Sequence, residues 1–459
     1  MSGWKSCKAN TVKRWVLTLA PLLFFGVNEN RAWLLVNLIV VCLLMWSGTV
    51  WKKILFYLFL LNLPFESGLR GWQFQVVEGY SFFFGLTVKY IWWLMILITY
   101  FKEIFVRQKI IKTDYLAVFF LIWTLLGTWV KGSFLTVEWL GLIKVIYIMG
   151  IYFIGSFFWK DSEVRSDFKY ILVGWLLFFG LDGVGQWFKG GTLGLFLEET
   201  NFTAPFGFWT NESHFLTRVA GTMGHPTFFS SWLSMILVLG IGIFWQTLGK
   251  KRLLLIGIFL STLALVATYG RSGWVALAVG ILGLKWLWRK DIKTKNIKDN
   301  KYLWWILGLV IFCGGGYFLS RLSSFSQFFE FGGSGVGRIE LLLEWWNMIK
   351  NNWWWGVGLN RFTEIMYQQK ITEAYKYFLY PVHNTWLLLM VETGVVGTLA
   401  LIALVVKCIE KIPENIEAGM WWMVVIIFVI NSQFHALFYQ DPTIDLFMLA
   451  LGYLRSQQT

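Results

Sequence analysis

Long apolar runs, broken by short polar stretches, follow one another along almost the whole chain. Fourteen stand out, near 15–27, 32–50, 54–64, 80–100, 115–130, 134–158, 170–188, 226–248, 253–268, 272–288, 302–320, 383–406, 420–439 and 443–454. A helix needs about 20 residues to cross a bilayer. The runs at 15–27, 54–64 and 443–454 fall short of that, so the pattern predicts twelve to fourteen membrane helices. No Pro-rich linker interrupts them. The expectation is a single integral membrane domain over 1–459, an all-α polytopic bundle.

The polar interruptions are not alike. The stretches 1–14, 51–53, 101–114, 159–169, 249–252, 285–301, 407–419 and the tail alternate with the others along the chain, and they hold most of the Lys and Arg. In the remaining stretches bases and acids balance. Basic loops face the cytoplasm, so both termini are expected inside. Two outside loops are then long, 189–225 and 321–382. The second opens on the Gly/Ser-rich "RLSSFSQFFEFGGSGVGR". Beyond it Ile339, Leu342, Leu343, Trp346 and Ile349 recur at helical spacing, which predicts an amphipathic helix over 338–350 lying on the membrane surface.

Composition sharpens this picture. Hydrophobic residues make up 57% of the chain and charged ones 14%, which excludes an ordinary soluble protein. Many of the 30 tryptophans lie near the ends of apolar runs, where an indole keeps its ring buried and its N–H wet. The net charge of +14 is distributed as a topology signal and does not form a nucleic-acid stripe. Cys7, Cys42, Cys313 and Cys408 have no metal-type spacing and read as unpaired. No convincing cleavage site follows the first apolar run, which reads as a retained helix.

The outside face collects the candidate chemistry. "RVAGTMGHPTFFSSWL" supplies Arg218 and His225; "ATYGRSGWVALAVG" puts Arg271 in a short turn; "GGSGVGR" puts Arg338 behind glycines; "HN" supplies His383 and Asn384. Arginine keeps its charge at a low-dielectric boundary and offers two-pronged donors that suit phosphate. A helix N-terminus adds free N–H groups and a positive dipole end. A phosphate at an outer membrane boundary suggests a lipid-linked one. Histidine can take a proton from a hydroxyl near neutral pH. Plainer readings stand beside these. Arg218 can snorkel to headgroups, His225 can shape the turn before Pro226, and His435 can satisfy a polar helix end. Glu392 reads as a packing residue. Lys89, Lys144, Glu138, Asp182 and Asp445 form buried pairs or mark a pathway, and the sequence leaves both open. Glu198-Glu199 is the one acid pair outside, and neither a metal site nor a cofactor is expected.

Four stretches, in order, resemble the O-antigen ligase and Wzy-type polymerase superfamily: "RVAGTMGHPTFFSSWL", "YGRSGWVALAVG", "GRIELLLEWWNMIKNNWWWGVGLNRF" and "HNTWLLLMVETGVVGT". The resemblance spans roughly 215 to 400. It implies a GT-C-like, metal-independent glycosyltransferase of the bacterial cytoplasmic membrane, working on its outer face. The donor would be a glycan on undecaprenyl pyrophosphate, and the acceptor a hydroxyl of a glycan or lipid-linked molecule. Arg271 and Arg338 would bind the pyrophosphate, and His383 would be the general base; Arg218, His225 and Asn384 are possible supports. The family often has Pro-Asn where this chain has Pro226-Thr227, which removes an amide from that place. Within the family, polymerisation of a surface polysaccharide is the leading expectation. Ligation to a lipid A core and transfer to protein hydroxyls follow. Outside the family, a transporter would call for broken helices and paired repeats at the midplane.

Overall fold

The computed structural model describes residues 2–27, 30–65, 68–74, 84–131, 136–195, 198, 207–209, 215–246, 252–291, 308, 334–368 and 381–458. Among them are fifteen α-helices: α1 Ser2–Leu23, α2 Asn30–Trp46, α3 Trp51–Asn62, α4 Val88–Phe101, α5 Lys112–Lys131, α6 Thr136–Phe158, α7 Ser162–Lys189, α8 Pro226–Gln246, α9 Arg252–Ala267, α10 Arg271–Asp291, α11 Ser334–Ile349, α12 Phe362–Gln368, α13 Thr385–Ile409, α14 Ile416–Ser432 and α15 Thr443–Ser456. The fold is an all-α polytopic membrane bundle. Two small antiparallel hairpins add to it: β1 Gly68–Phe74 with β2 Phe84–Thr87, and β3 Gly207–Trp209 with β4 Phe215–Thr217. Apart from residue 308, the predicted run at 302–320 lies outside the described residues, as do 321–333 and 369–380 of the long loop.

Five described helices are long and apolar enough to cross a membrane: Lys112–Lys131, Val137–Phe158, Ser162–Lys189, Pro226–Gln246 and Thr385–Ile409. Helix α5 shows what surrounds the bundle. Tyr115, Val118, Phe119, Ile122, Leu125, Leu126 and Trp129 form one exposed apolar stripe along it, while Ala117, Phe120 and Thr124 face inward. Water would not tolerate such a stripe, and lipid does. Inside, α7 packs on α1 and α9, α6 on α15, and α14 on α8, α10 and α15.

Local chemistry sets the helix ends. Asp161 caps α7, its carboxylate accepting from the Glu163 and Val164 N–H groups, and Gly190 closes it in the left-handed conformation at φ 71°. Helix α14 stops at Ser432, earlier than the apolar run to 439 predicts. Asn431 donates back to the Ile427 carbonyl, Ser432 to Val429 and Gln433 to Val429; such side-chain bonds compete with further helix. The stretch 433–442 therefore runs as turns between α14 and α15.

Buried charges are paired. Lys89 Nζ lies 2.6 Å from Asp441 and 2.9 Å from Asp445, Lys144 also contacts Asp441, and Tyr90 and Tyr147 donate to the same two aspartates. Glu138 faces Arg361 at 3.6 Å. Asp182 and Glu198 both accept from the Gln186 amide, whose oxygen in turn accepts from the Ala220 and Gly221 N–H groups. For Lys89, Lys144, Glu138 and Asp445 the paired reading holds, as burial of charge requires; Asp182 instead shares the Gln186 amide with a second acid, Glu198.

One spanning helix is broken. Gly394 leaves the helical region at φ 72° inside α13. The segment 353–358 fills the gap with its own backbone: Val357 N–H donates to Val391 O at 2.7 Å, Gly358 to Glu392 O at 3.1 Å, and Val395 to Trp353 O at 2.8 Å. A side chain at Gly394 would collide with the Trp354 carbonyl. The freed groups of the broken helix are thus satisfied within the protein, and the break seats a loop.

Candidate functional site

Helix α11 carries the first candidate. Its apolar residues divide between two faces. Leu341, Met348 and Ile349 pack with Val357, Phe362, Met366, Val382, Leu388 and Val391 in a small core of their own. Ile339, Leu342, Leu343 and Trp346 remain exposed, as a helix resting on a membrane surface requires. Ile349, expected on that exposed face, belongs to the packed one. The Trp345 indole donates to the Leu387 carbonyl at 2.8 Å and fixes α11 against α13. Arg338 lies in the first turns of α11 and reaches solvent.

His383 precedes α13. Asn384 is the cap of that helix: its side-chain oxygen accepts from Trp386 N–H at 2.9 Å and Leu387 N–H at 3.1 Å, and its amide donates to Gln433 O at 3.2 Å. The His-Asn pair is thereby explained. Asn384 fixes where the helix starts, and His383 is the last residue before it. The Pro381 carbonyl accepts a hydrogen bond from the His383 ring, which fixes one ring nitrogen as the donor. Burial first, and then the positive charge of Arg338, push the His383 pKa down to about 4.

Arg271 opens α10 and is exposed. The glycines on either side let this end of the helix approach α8 closely. A Cβ at Gly270 would lie 2.4 Å from Ser230 Oγ, and one at Gly273 2.8 Å from Ser230 O. The turn before it is tight, with Tyr269 at φ 52° and Thr268 Oγ1 accepting from Gly270 N–H at 3.0 Å. Partial withdrawal from water, and then the charge of Arg271, lower the Arg338 pKa.

Arg218 and His225 enter from the end of the 189–225 loop. Arg218 Nε donates to Thr268 O at 2.9 Å, a cation at the carbonyl end of α9. His225 Nδ1 accepts from Thr227 N–H at 3.2 Å and meets Thr227 Oγ1 at 2.6 Å, so the imidazole caps α8 and shapes the turn at Pro226. Thr227 has its hydroxyl committed to that contact. Burial, then Arg218 and then His383 push the His225 pKa down to about 3.

All six candidates lie around one place, and a seventh residue joins them. His435, read from sequence as a helix-end residue, is 7% exposed. Burial first, and then its imidazole and arginine neighbours His225, His383, Arg338 and Arg218, hold its pKa well below the ordinary value. Its Nε2 lies 2.8 Å from Ser272 Oγ, next to Arg271. Its carbonyl accepts from Thr385 Oγ1 at 2.7 Å, next but one to His383. The apolar neighbours Phe434, Ala436, Leu437 and Phe438 hid it as a continuing helix. The available signal was the polar run Asn431-Ser432-Gln433, which ends that helix.

The arrangement combines permanent cations with imidazoles kept neutral. It can hold a polyanion on the arginines and accept a proton on a histidine beside it. Comparisons with curated proteins and with solved structures each give no match. Residues 256–402 match the family model described as O-antigen ligase. That segment contains Arg271, Arg338, His383 and Asn384, and its match supports placing the chain in the O-antigen ligase and polymerase superfamily.

Proposed function

We propose that this protein transfers a glycan from undecaprenyl pyrophosphate to an acceptor hydroxyl on the outer face of the cytoplasmic membrane, lengthening a surface polysaccharide. The observation that carries the reading is the convergence of Arg271, Arg338 and His383. They come from three separate elements, yet Arg338 acts electrostatically on both of the others.

In this mechanism Arg271 and Arg338 grip the pyrophosphate of the donor. His383 takes the proton of the acceptor hydroxyl as that oxygen forms a bond to the anomeric carbon. The bond from that carbon to the pyrophosphate oxygen breaks, and undecaprenyl pyrophosphate leaves with its new negative charge held by the guanidinium groups. A pyrophosphate is already a weakly basic leaving group, so fixed cations serve where a divalent ion would otherwise be used. The membrane position brings the lipid donor from one side and the hydroxyl from the other.

The test is transfer by the purified protein given an undecaprenyl-pyrophosphate glycan, with products separated by size. A ladder supports polymerisation. A single addition to a lipid A core or to a protein keeps the donor chemistry and changes the acceptor. No transfer to any of the three contradicts the proposal.

A further inference from the structure

The residues that would bind the donor and the base that would act on the acceptor sit on different helices. Something must hold those helices in register, because a misplacement of about 1 Å costs on the order of 100-fold in rate. The stretch 433–442 lies between them. At its heart the Thr385 hydroxyl is inserted into a turn: it donates to His435 O at 2.7 Å and accepts from Leu437 N–H at 2.8 Å. That fixes the first turn of α13, two residues beyond His383. From the same turn the His435 ring reaches the other way and meets Ser272 Oγ at 2.8 Å, one residue beyond Arg271.

We propose that His435 is a positioning residue that couples the two halves of the site, its ring holding the Arg271 end of α10 and its main chain holding the His383 end of α13. This rests on the function proposed above. The ring suits the task because it is neutral. Four cationic or imidazole neighbours surround it, and a lysine or arginine there would add a repelling charge. The ring is also buried, which shelters its bond to Ser272. Loss of the ring frees Ser272 and Arg271 and leaves the main-chain hold on Thr385 in place. The damage is therefore specific to the donor side.

The experiment uses the purified full-length chain and a double-mutant cycle over His435→Ala and Ser272→Ala. Each single variant should raise KM for the lipid-linked donor about tenfold, the scale of one hydrogen bond, with the acceptor KM unchanged. The double variant should be no worse than either single one. His435→Gln places an amide near the Nε2 position and should restore most of the loss, as should Ser272→Thr. A merely structural role would lower the active fraction and leave donor KM unchanged. An unchanged donor KM, or fully additive losses, overturns the proposal. If His435→Ala fails to fold, Ser272→Ala carries the same readout, with Ser272→Thr as its rescue. Binding of inorganic pyrophosphate, measured alongside, should weaken about tenfold in Ser272→Ala. That arm still decides the coupling if the wild type transfers no glycan, a result that would count against the function and not against His435.

Discussion

The Tyr439 hydroxyl donates to Glu392 Oε2 at 2.5 Å, and the Asn360 N–H donates to that hydroxyl at 3.0 Å. Glu392 lies about two and a half turns down α13 from His383, too far to orient the imidazole. Its carboxylate also accepts from the Asn360 and Phe362 backbone, so it fastens the inserted loop to the broken helix. Glu392→Ala should leave the Tyr439 hydroxyl and the Phe362 N–H without this acceptor, at a cost of about 1–3 kcal/mol for each. A clear drop in Tm in detergent is expected, smaller for Glu392→Gln, whose carbonyl still accepts. An unchanged Tm in Glu392→Ala would contradict this.

Replacing Arg271 or Arg338 by lysine keeps a positive charge and loses the planar fork. Transfer with a defined lipid donor should fall on the order of 100-fold in either variant, as when one fixed donor to a developing charge is removed. Full activity of both lysine variants would remove the pyrophosphate from these residues.

The pH dependence follows from the burial of His383 and from the charge of Arg338 beside it. With its pKa pushed down to about 4, the imidazole of the free protein is neutral through the physiological range but a weak base. A bound pyrophosphate cancels the push from Arg338 and raises the pKa toward the ordinary value near 6.5. The acid limb of kcat, which reports the complex, should lie at higher pH than that of kcat/KM, which reports the free protein. Coincident limbs would show that no such anion reaches His383. Stability carries the matching sign. An unfolded histidine binds its proton near pH 6.5, whereas folded His383 and His225 resist protonation down to about 4 and about 3. Between those values the unfolded chain holds more protons, so stability should fall as pH falls.

Topology is tested by impermeant thiol labelling in a cysteine-free background. Asn351, after α11, and Glu414, between α13 and α14, are both exposed. Asn351→Cys should label in intact cells and Glu414→Cys only after permeabilisation. The reverse pattern would invert the site to the cytoplasm.

Much of this architecture was legible in the sequence because its causes are local. Apolar runs are read residue by residue, and so is the placing of Arg271, Arg338 and His383 at helix ends on one predicted side. What escaped depends on distant partners. Lys89 and Lys144 could be paired only once Asp441 was known to face them. The break at Gly394 exists because 353–358 inserts there, and a lone glycine in a long apolar run does not announce it. His435 was hidden by four apolar neighbours, and its importance comes from Ser272 and Thr385, far away along the chain.

The central claim is that His383 accepts the proton of the acceptor hydroxyl. His383→Gln keeps the size and hydrogen bonding of the side chain and removes its basicity. With purified protein and a defined undecaprenyl-pyrophosphate glycan, the variant should bind donor with nearly normal affinity and lose transfer by 100-fold or more, on the order of what general base catalysis supplies. Near-normal turnover in His383→Gln would contradict the account and move His383 from catalysis to structure.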